Sequence, residues 1–251
     1  MPPLFFMHLP HYICPTITPM NNTVLNWSSG KDAALAYYKL LAHNKYKVTH
    51  LLTTLSLEHD RIFMHGIREK LLDIQAEKMN LPLTKVKLPA SPDDSLYKDA
   101  MSNAMERLKN EGITTAAFGD IFLEDLKTYR EEQLAQINIQ AHFPLWEQNT
   151  HDLVHQVADA GIEAIIVCVN DKYLGKDFLG RKIDASLLND LPANVDPCGE
   201  NGEYHSFVYN APFFSAPIPI TMGEIVHKRY TSPDGNTQWD TGFYFLDCDV
   251  E

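Results

Sequence analysis

The sequence predicts an α/β fold, a parallel sheet flanked by helices, followed by a smaller α+β domain. Three observations predict it. Short apolar runs alternate with amphipathic helical stretches from Val24 to Val169. The links between them are short and marked by Gly, Pro, Asn and Asp, as the crossovers of a parallel sheet require. After Asp171 the alternation lapses into a Gly-, Pro- and acid-rich segment that leads to a β-hairpin.

In order along the chain, Val24 to Asn26 reads as a strand and Trp27-Ser28-Ser29-Gly30 as a tight turn. Asp32 to Ala42 follows as a helix with Leu35, Tyr38 and Leu41 or Ala42 facing inward. Val48 to Leu55 is a buried strand with Thr53 and Thr54 at its carboxyl end, the edge of an open α/β sheet where ligands sit. His65 to Met79 is an amphipathic helix (Ile67, Leu71, Leu72, Ile74) closed by Asn80 and Pro82. Leu83 to Leu88, Ser95 to Asn110 and Thr115 to Phe118 continue the strand–helix–strand pattern, ending at Gly119-Asp120-Ile121. Glu124 to Ile137 is the next helix, and Phe143-Pro144-Leu145-Trp146 an apolar connector. A helix at 150–160 and a strand at 164–169 complete the series. Phe207 to Tyr209 is a strand, and 220–230 with 237–246 pair as a hairpin about a Ser-Pro-Asp-Gly turn.

Composition bounds the function. A chain of 251 residues with 45% hydrophobic and 22% charged residues is a globular protein with a proper core. Its net charge of −12 argues against a nucleic-acid surface, though not against a nucleotide. Cys14, Cys168, Cys198 and Cys248 are widely spaced, so neither a structural zinc site nor a disulfide framework is expected, and a reducing cytoplasm is the default. No run suits a membrane span. Residues 1–20 lack a signal peptide's basic start and apolar core; they read as a disordered leader, or as an over-called start with Met20 the real one.

The chemistry concentrates in two stretches. Val24 to Ala33 is a strand, a small-residue loop and a helix start, and the first turn of a helix offers unpaired N–H groups and a positive dipole end to an anion. Ser28, Ser29 and Gly30 let an anion approach the backbone, and Lys31 adds a charge that suits phosphate. Asp32 can hold a magnesium ion or brace the loop. The glycine spacings of a Walker A loop and of a dinucleotide fingerprint are both absent. Arg68, basic at a helix start against the dipole, favours an anion partner. The second stretch is Asp196 to Ser206, where Glu200 and Glu203 bracket a glycine turn beside His205. It is either a plain surface loop or a site in which the glutamates hold a metal or cationic group and His205 moves a proton.

Ser28 to Ala33 resembles the S-G-G-K-D-S loop of the PP-loop ATP pyrophosphatases, with Ser29 in place of the first glycine and Ala33 in place of the serine. His65-Gly66-Ile67-Arg68, Gly119-Asp120-Ile121 with Glu124, Tyr129 and Arg130, Phe143 to Trp146, Phe178-Leu179-Gly180-Arg181 and Gly199 to Ser206 extend the resemblance to the diphthine–ammonia ligase family. That resemblance implies a Rossmann-like (HUP-type) ATP-binding domain at 21–125 and a family-specific substrate domain at 126–251. It implies adenylylation of a carboxylate by ATP with Mg2+, release of pyrophosphate, and displacement of AMP by ammonia. Ser28, Ser29, Gly30, Lys31 and Asp32 would hold the phosphates, with Asp32 on the metal and Thr53, Thr54, Arg68, Gly119 and Asp120 completing the nucleotide site. Glu124, Tyr129, Arg130, Asn201, Glu200, Glu203 and His205 would line the acceptor side. The better-known ligases tend to carry a glycine and then a glutamate where this chain has Asn201 and His205, which implies an altered acceptor pocket. A PP-loop tRNA-thiolating enzyme and a non-catalytic adenine-nucleotide binder are the alternatives. A homo-oligomer is expected on general grounds, without a motif that specifies it.

Overall fold

The computed structural model describes residues 20–62, 65–89, 93–230 and 241–250. The leader and the hairpin turn therefore lie outside the described residues. β1 (Asn21–Asn26) and β5 (Thr115–Ala117) pair in parallel at the middle of the first sheet, and both carry the fully buried residues of a strand covered on two faces. β2 (Tyr46–Ser56) lies beyond β1, β4 (Leu83–Leu88) beyond β2, and β6 (Gln140–His142) beyond β5, all in parallel register. A two-residue β3 (Arg61–Ile62) folds back antiparallel onto the end of β2. The chain winds outward from β1 through β2 to β4, then returns to the other side of β1 for β5 and β6. That reversal opens a crevice at the carboxyl ends of β1 and β5, the switch point where α/β sheets take ligands.

The first sheet includes β6, past the division expected at residue 125. The second sheet is antiparallel, in the order β8 (Tyr204–Asn210), β7 (Glu163–Asn170), β10 (Thr241–Val250), β9 (Ile220–Tyr230). Helices α1 (Lys31–Leu41), α2 (Glu69–Met79), α3 (Asp94–Asn110), α4 (Glu124–Gln136), α5 (Thr150–Asp159) and α6 (Ala185–Asp190) surround them. One hydrophobic core runs through both halves, joining Leu25, Trp27 and Leu35 to Ile165, Val167 and Phe207. The second sheet is thereby built against the first turn of α1.

Two expectations are corrected. α1 buries Ala33, Ala34, Leu35, Ala36, Tyr37 and Leu40, so Leu35 faces inward as expected, while Tyr38, Leu41 and Ala42 are exposed; the buried stripe runs through Ala33, Ala36, Tyr37 and Leu40 at the helical spacing of three and four, and Tyr38 and Leu41 fall outside it. The second helix begins at Glu69, not His65: Gly66 takes φ +70°, Arg68 is extended and bridges back to Arg61. Arg68 therefore lies ahead of the helix and not on its first turn.

Candidate active site

The loop after β1 is held from three sides. Trp27 Nε1 donates to Gln75 Oε1 at 2.9 Å, and Gln75 Nε2 donates to the carbonyls of Ser29 (3.2 Å) and Val208 (2.6 Å). The Val208 amide also donates to the Ser29 carbonyl at 3.0 Å. Ser29 adopts φ +70°, the left-handed region that glycine enters without cost. Its side chain is fully buried and its Oγ has no hydrogen-bond partner among the described residues. The backbone here explains why a glycine suits this position and why serine does not. The Lys31 amide, first of α1, donates to Ser206 Oγ at 3.1 Å, so β8 caps the helix. Gly119 lies so close to α1 that a Cβ there would come within 2.9 Å of the Ala33 nitrogen and the Asp32 carbonyl carbon. The loop after β5 thus lies against the backbone of the first turn of α1.

Between them opens a cleft of about 420 Å³, lined on one side by Ser28, Lys31, Asp32, Thr53, Thr54, Gly119 and Asp120, and on the other by Gly199, Glu200, Tyr204, His205 and Ser206. Leu52, Ile62, Met101 and Phe118 add an apolar wall. The volume falls in the ordinary range for a small-molecule site.

The cleft is charged and buried. Lys31 Nζ pairs with Asp32 Oδ2 at 2.9 Å, donates to the Cys198 carbonyl, and sits 4.9 Å from the centre of the Tyr204 ring. Burial opposes the Lys31 charge, but Asp32, Tyr204 and Cys198 outweigh it and hold the ammonium above the ordinary lysine range. Arg130 Nη2 pairs with Asp120 Oδ1 at 3.2 Å and stacks over Phe118; burial nevertheless pushes the Asp120 carboxyl up. Glu200 Oε1 accepts from the Ile121 amide at 2.7 Å, tying the turn before β8 to the loop after β5. Burial, reinforced by Asp32 and Asp120, pushes the Glu200 carboxyl up to about 7. Carboxylates that oppose one another's charge in this way favour an incoming cation.

His65 and His205 stack with ring centres 4.6 Å apart at the same cleft. His65 Nδ1 lies 3.2 Å from the Ser206 carbonyl, which can only accept, so this nitrogen carries the hydrogen and Nε2 keeps a lone pair. Burial, with the nearby Lys31 charge, brings His65 down to about 4. Burial, His65 and Lys31 hold His205 well below the ordinary histidine range, and its buried Nε2 has no partner among the described residues. Both rings are neutral at pH 7.

The diphthamide synthase N-terminal domain model matches residues 20–140 and the diphthamide synthase C-terminal domain model matches 149–248, so that both walls of the cleft fall inside matched sequence. The chain belongs to the diphthamide synthase family. It is similar to the diphthine–ammonia ligase of Bos taurus (28% identical over 191 residues, 67% of this chain and 69% of the relative). It is also similar to that of Homo sapiens (27% over 191 residues, the same shares) and of Schizosaccharomyces pombe (24% over 184 residues, 67% of this chain and 30% of the relative). Among solved structures, the U34-tRNA thiolase NcsA of Methanococcus maripaludis aligns with a TM-score of 0.36 at 16% identity, over 57% of each chain.

In this chain, ten of the expected site residues meet at the cleft: Ser28, Lys31, Asp32, Thr53, Thr54, Gly119, Asp120, Arg130, Glu200 and His205. The others do not line it. Ser29 and Gly30 are buried within the loop. The Arg68 guanidinium is taken up by Asp247 and Asp249 of β10, so it clamps the two sheets together instead of meeting an anion. Glu124 faces solvent and, among the described residues, pairs only with Lys127. Tyr129 lines a smaller cavity between α3 and α4. Glu203 is fully buried and accepts from the Asp196 amide (3.0 Å) and Asn201 Nδ2 (3.1 Å), so this pair braces the turn. Among the residues that sequence reasoning passed over, Ser206 caps α1 and Gln75 holds the loop. Gln75 lies four residues after Leu71 on the apolar face of α2, and a polar residue on such a face is the signal that marks it.

Proposed function

We propose that this diphthamide synthase family chain is an ATP-dependent amide ligase that transfers AMP from ATP to a carboxylate, releases pyrophosphate, and lets ammonia displace AMP to leave the amide. The relatives' names point to diphthine as the acceptor. The observation that carries the reading is that the loop after β1 and the turn before β8, far apart in sequence, share one cleft. The nucleotide half is assigned to the first sheet, through β6, and the acceptor half to the second sheet, in a cytoplasmic setting that accords with free Cys168, Cys198 and Cys248. Among the described residues no helix is long and apolar enough to cross a membrane.

Each cleft residue has a part that its surroundings suit. Ser28, at the cleft beside the positive end of α1, would offer its hydroxyl to the phosphates. Lys31, kept charged by its neighbours, contributes positive charge where negative charge builds on the leaving pyrophosphate. Among the described residues no group of three or more His, Cys, Asp or Glu side chains forms a complete metal cage. Asp32 and Glu200 nevertheless supply the hard oxygen donors that suit Mg2+, an ion commonly held by one or two carboxylates together with substrate phosphates. Bound there, Mg2+ would neutralise charge on the phosphates. Ammonia becomes a strongly acidic ammonium as it bonds to the acyl carbon, and even a weak base can take its proton. That task is assigned to the neutral His205, whose ring lies 4.6 Å from that of His65 at the cleft.

Exchange of labelled pyrophosphate into ATP, with candidate carboxylic acids, tests this reading. Acid-dependent exchange that is lost in Lys31→Ala and Asp32→Ala is expected. Exchange that survives both substitutions would remove the loop from the mechanism, and tight nucleotide binding without pyrophosphate release under any acid would make the protein a binder instead.

A further inference from the structure

We propose that β9 is a dimerisation edge, pairing antiparallel with β9 of a second copy of this chain about a two-fold axis at Val226. Among the described residues β9 has a strand neighbour on one side only, β10. Every residue from Thr221 to Tyr230 is exposed, including Met222 (54%), Ile225 (46%), Val226 (43%) and Tyr230 (50%). Eleven residues of edge strand with unspent backbone N–H and C=O groups, no proline and solvent-exposed apolar side chains form a template for another strand. The ladder to β10 is regular from Ile225 to Tyr230; the one irregularity sets Gly223 and Glu224 against Asp247.

The charges select the partner and the register. A two-fold axis normal to a sheet must set one residue opposite its own copy. With Val226 at the axis, Glu224 of each strand faces Lys228 of the other, and Ile225 faces His227. Both charge pairs form at once, on either side of an apolar centre. Moving the axis to Ile225 or His227 leaves Glu224 opposite Val226 or Tyr230, and moving it to Lys228 sets two lysines together. Opposite charges across a strand pair stabilise it, and like charges oppose it. Self-pairing at Val226 is thus the register that the strand's own sequence favours, and it is independent of the cleft and of the ligase reading.

Sedimentation velocity of the full chain across a concentration series tests this. The expected result is a dimer for the native sequence and an affinity lower by about tenfold or more for Glu224→Lys and for Lys228→Glu, since each sets like charges opposite one another. Glu224→Lys combined with Lys228→Glu restores the pairs and should restore the dimer. Both positions are exposed, and unchanged thermal melts would confirm that each variant folds. A monomer for the native sequence, dimers untouched by single reversals, or a double variant that stays monomeric would each overturn the proposal. Residues of the same chain, or a different protein, would then be the occupant of the edge.

Discussion

Replacing Ser29 with glycine should stabilise the free protein while leaving its nucleotide affinity unchanged. Two features of the residue set the magnitude. Its φ of +70° places an L side chain in the left-handed region, at a cost of roughly 1–2 kcal/mol. Its buried Oγ has no partner among the described residues, and an unsatisfied buried hydroxyl costs about 1–3 kcal/mol. Against these, glycine makes the unfolded chain more flexible, which costs about 0.4–1 kcal/mol. A net gain of roughly 2 kcal/mol would raise the melting temperature of a chain this size by about 4–8 °C. Ser29→Ala separates the contributions: alanine removes the hydroxyl but keeps the strained backbone, so its melting temperature should fall between those of serine and glycine. Thermal melts by circular dichroism, followed by ATP titration of each variant, give both readouts. A glycine variant that melts lower would refute the strain argument. A glycine variant that melts higher but binds ATP about tenfold more weakly would show that the hydroxyl reaches the nucleotide, contrary to its burial within the loop.

Three further outcomes concern the cleft and a fourth the clamp at Arg68. Gly119→Ala would press a Cβ against backbone atoms of Asp32 and Ala33; a stability loss of about 1–3 kcal/mol and weaker ATP binding are expected in a denaturation and titration series. Glu200, with its carboxyl raised from 4.5 to about 7, binds more protons folded than unfolded between those values. Its contribution to stability therefore falls as pH rises across that window, and Glu200→Gln should match the native protein at low pH and exceed it above the window. The difference, read by urea denaturation, has an upper bound of about 3 kcal/mol, reduced by whatever solvent reaches the cleft. His205→Gln should keep pyrophosphate exchange but slow amide formation by about 10²–10⁴-fold; equal loss of both half-reactions would assign His205 to the loop's architecture instead. Arg68→Ala should cost about 1 kcal/mol of stability through the lost pairs to Asp247 and Asp249, with ATP affinity intact in calorimetry.

The β1–loop–α1 unit was legible because a period change, a small-residue turn and a helix start coincide within ten residues, and the strands of the first sheet were legible because central parallel strands are apolar throughout. What escaped depended on contacts remote in sequence. Glu203 has the chemistry of a site residue, yet the Asp196 amide and Asn201 turn it inward as a brace. Arg68 carries the charge of an anion ligand, yet Asp247 and Asp249 on the last strand claim it. Ser206 looks like an ordinary strand residue until β8 is placed against the start of α1. The pairing of His65 with His205 likewise exists only once the second sheet closes over the first. Motif spacing located the two walls of the cleft, but which side chains face into it was decided by packing between the halves.

The central claim is that the acceptor carboxylate attacks ATP at the phosphate next to the ribose. Supplying an acceptor whose carboxylate carries oxygen-18 and analysing the products by mass spectrometry tests it most directly. The account predicts one labelled oxygen in the phosphate of AMP and none in pyrophosphate, because the carboxylate oxygen that bonds to phosphorus departs with AMP when ammonia attacks. Unlabelled AMP, or label found in pyrophosphate or in inorganic phosphate released with ADP, would contradict it.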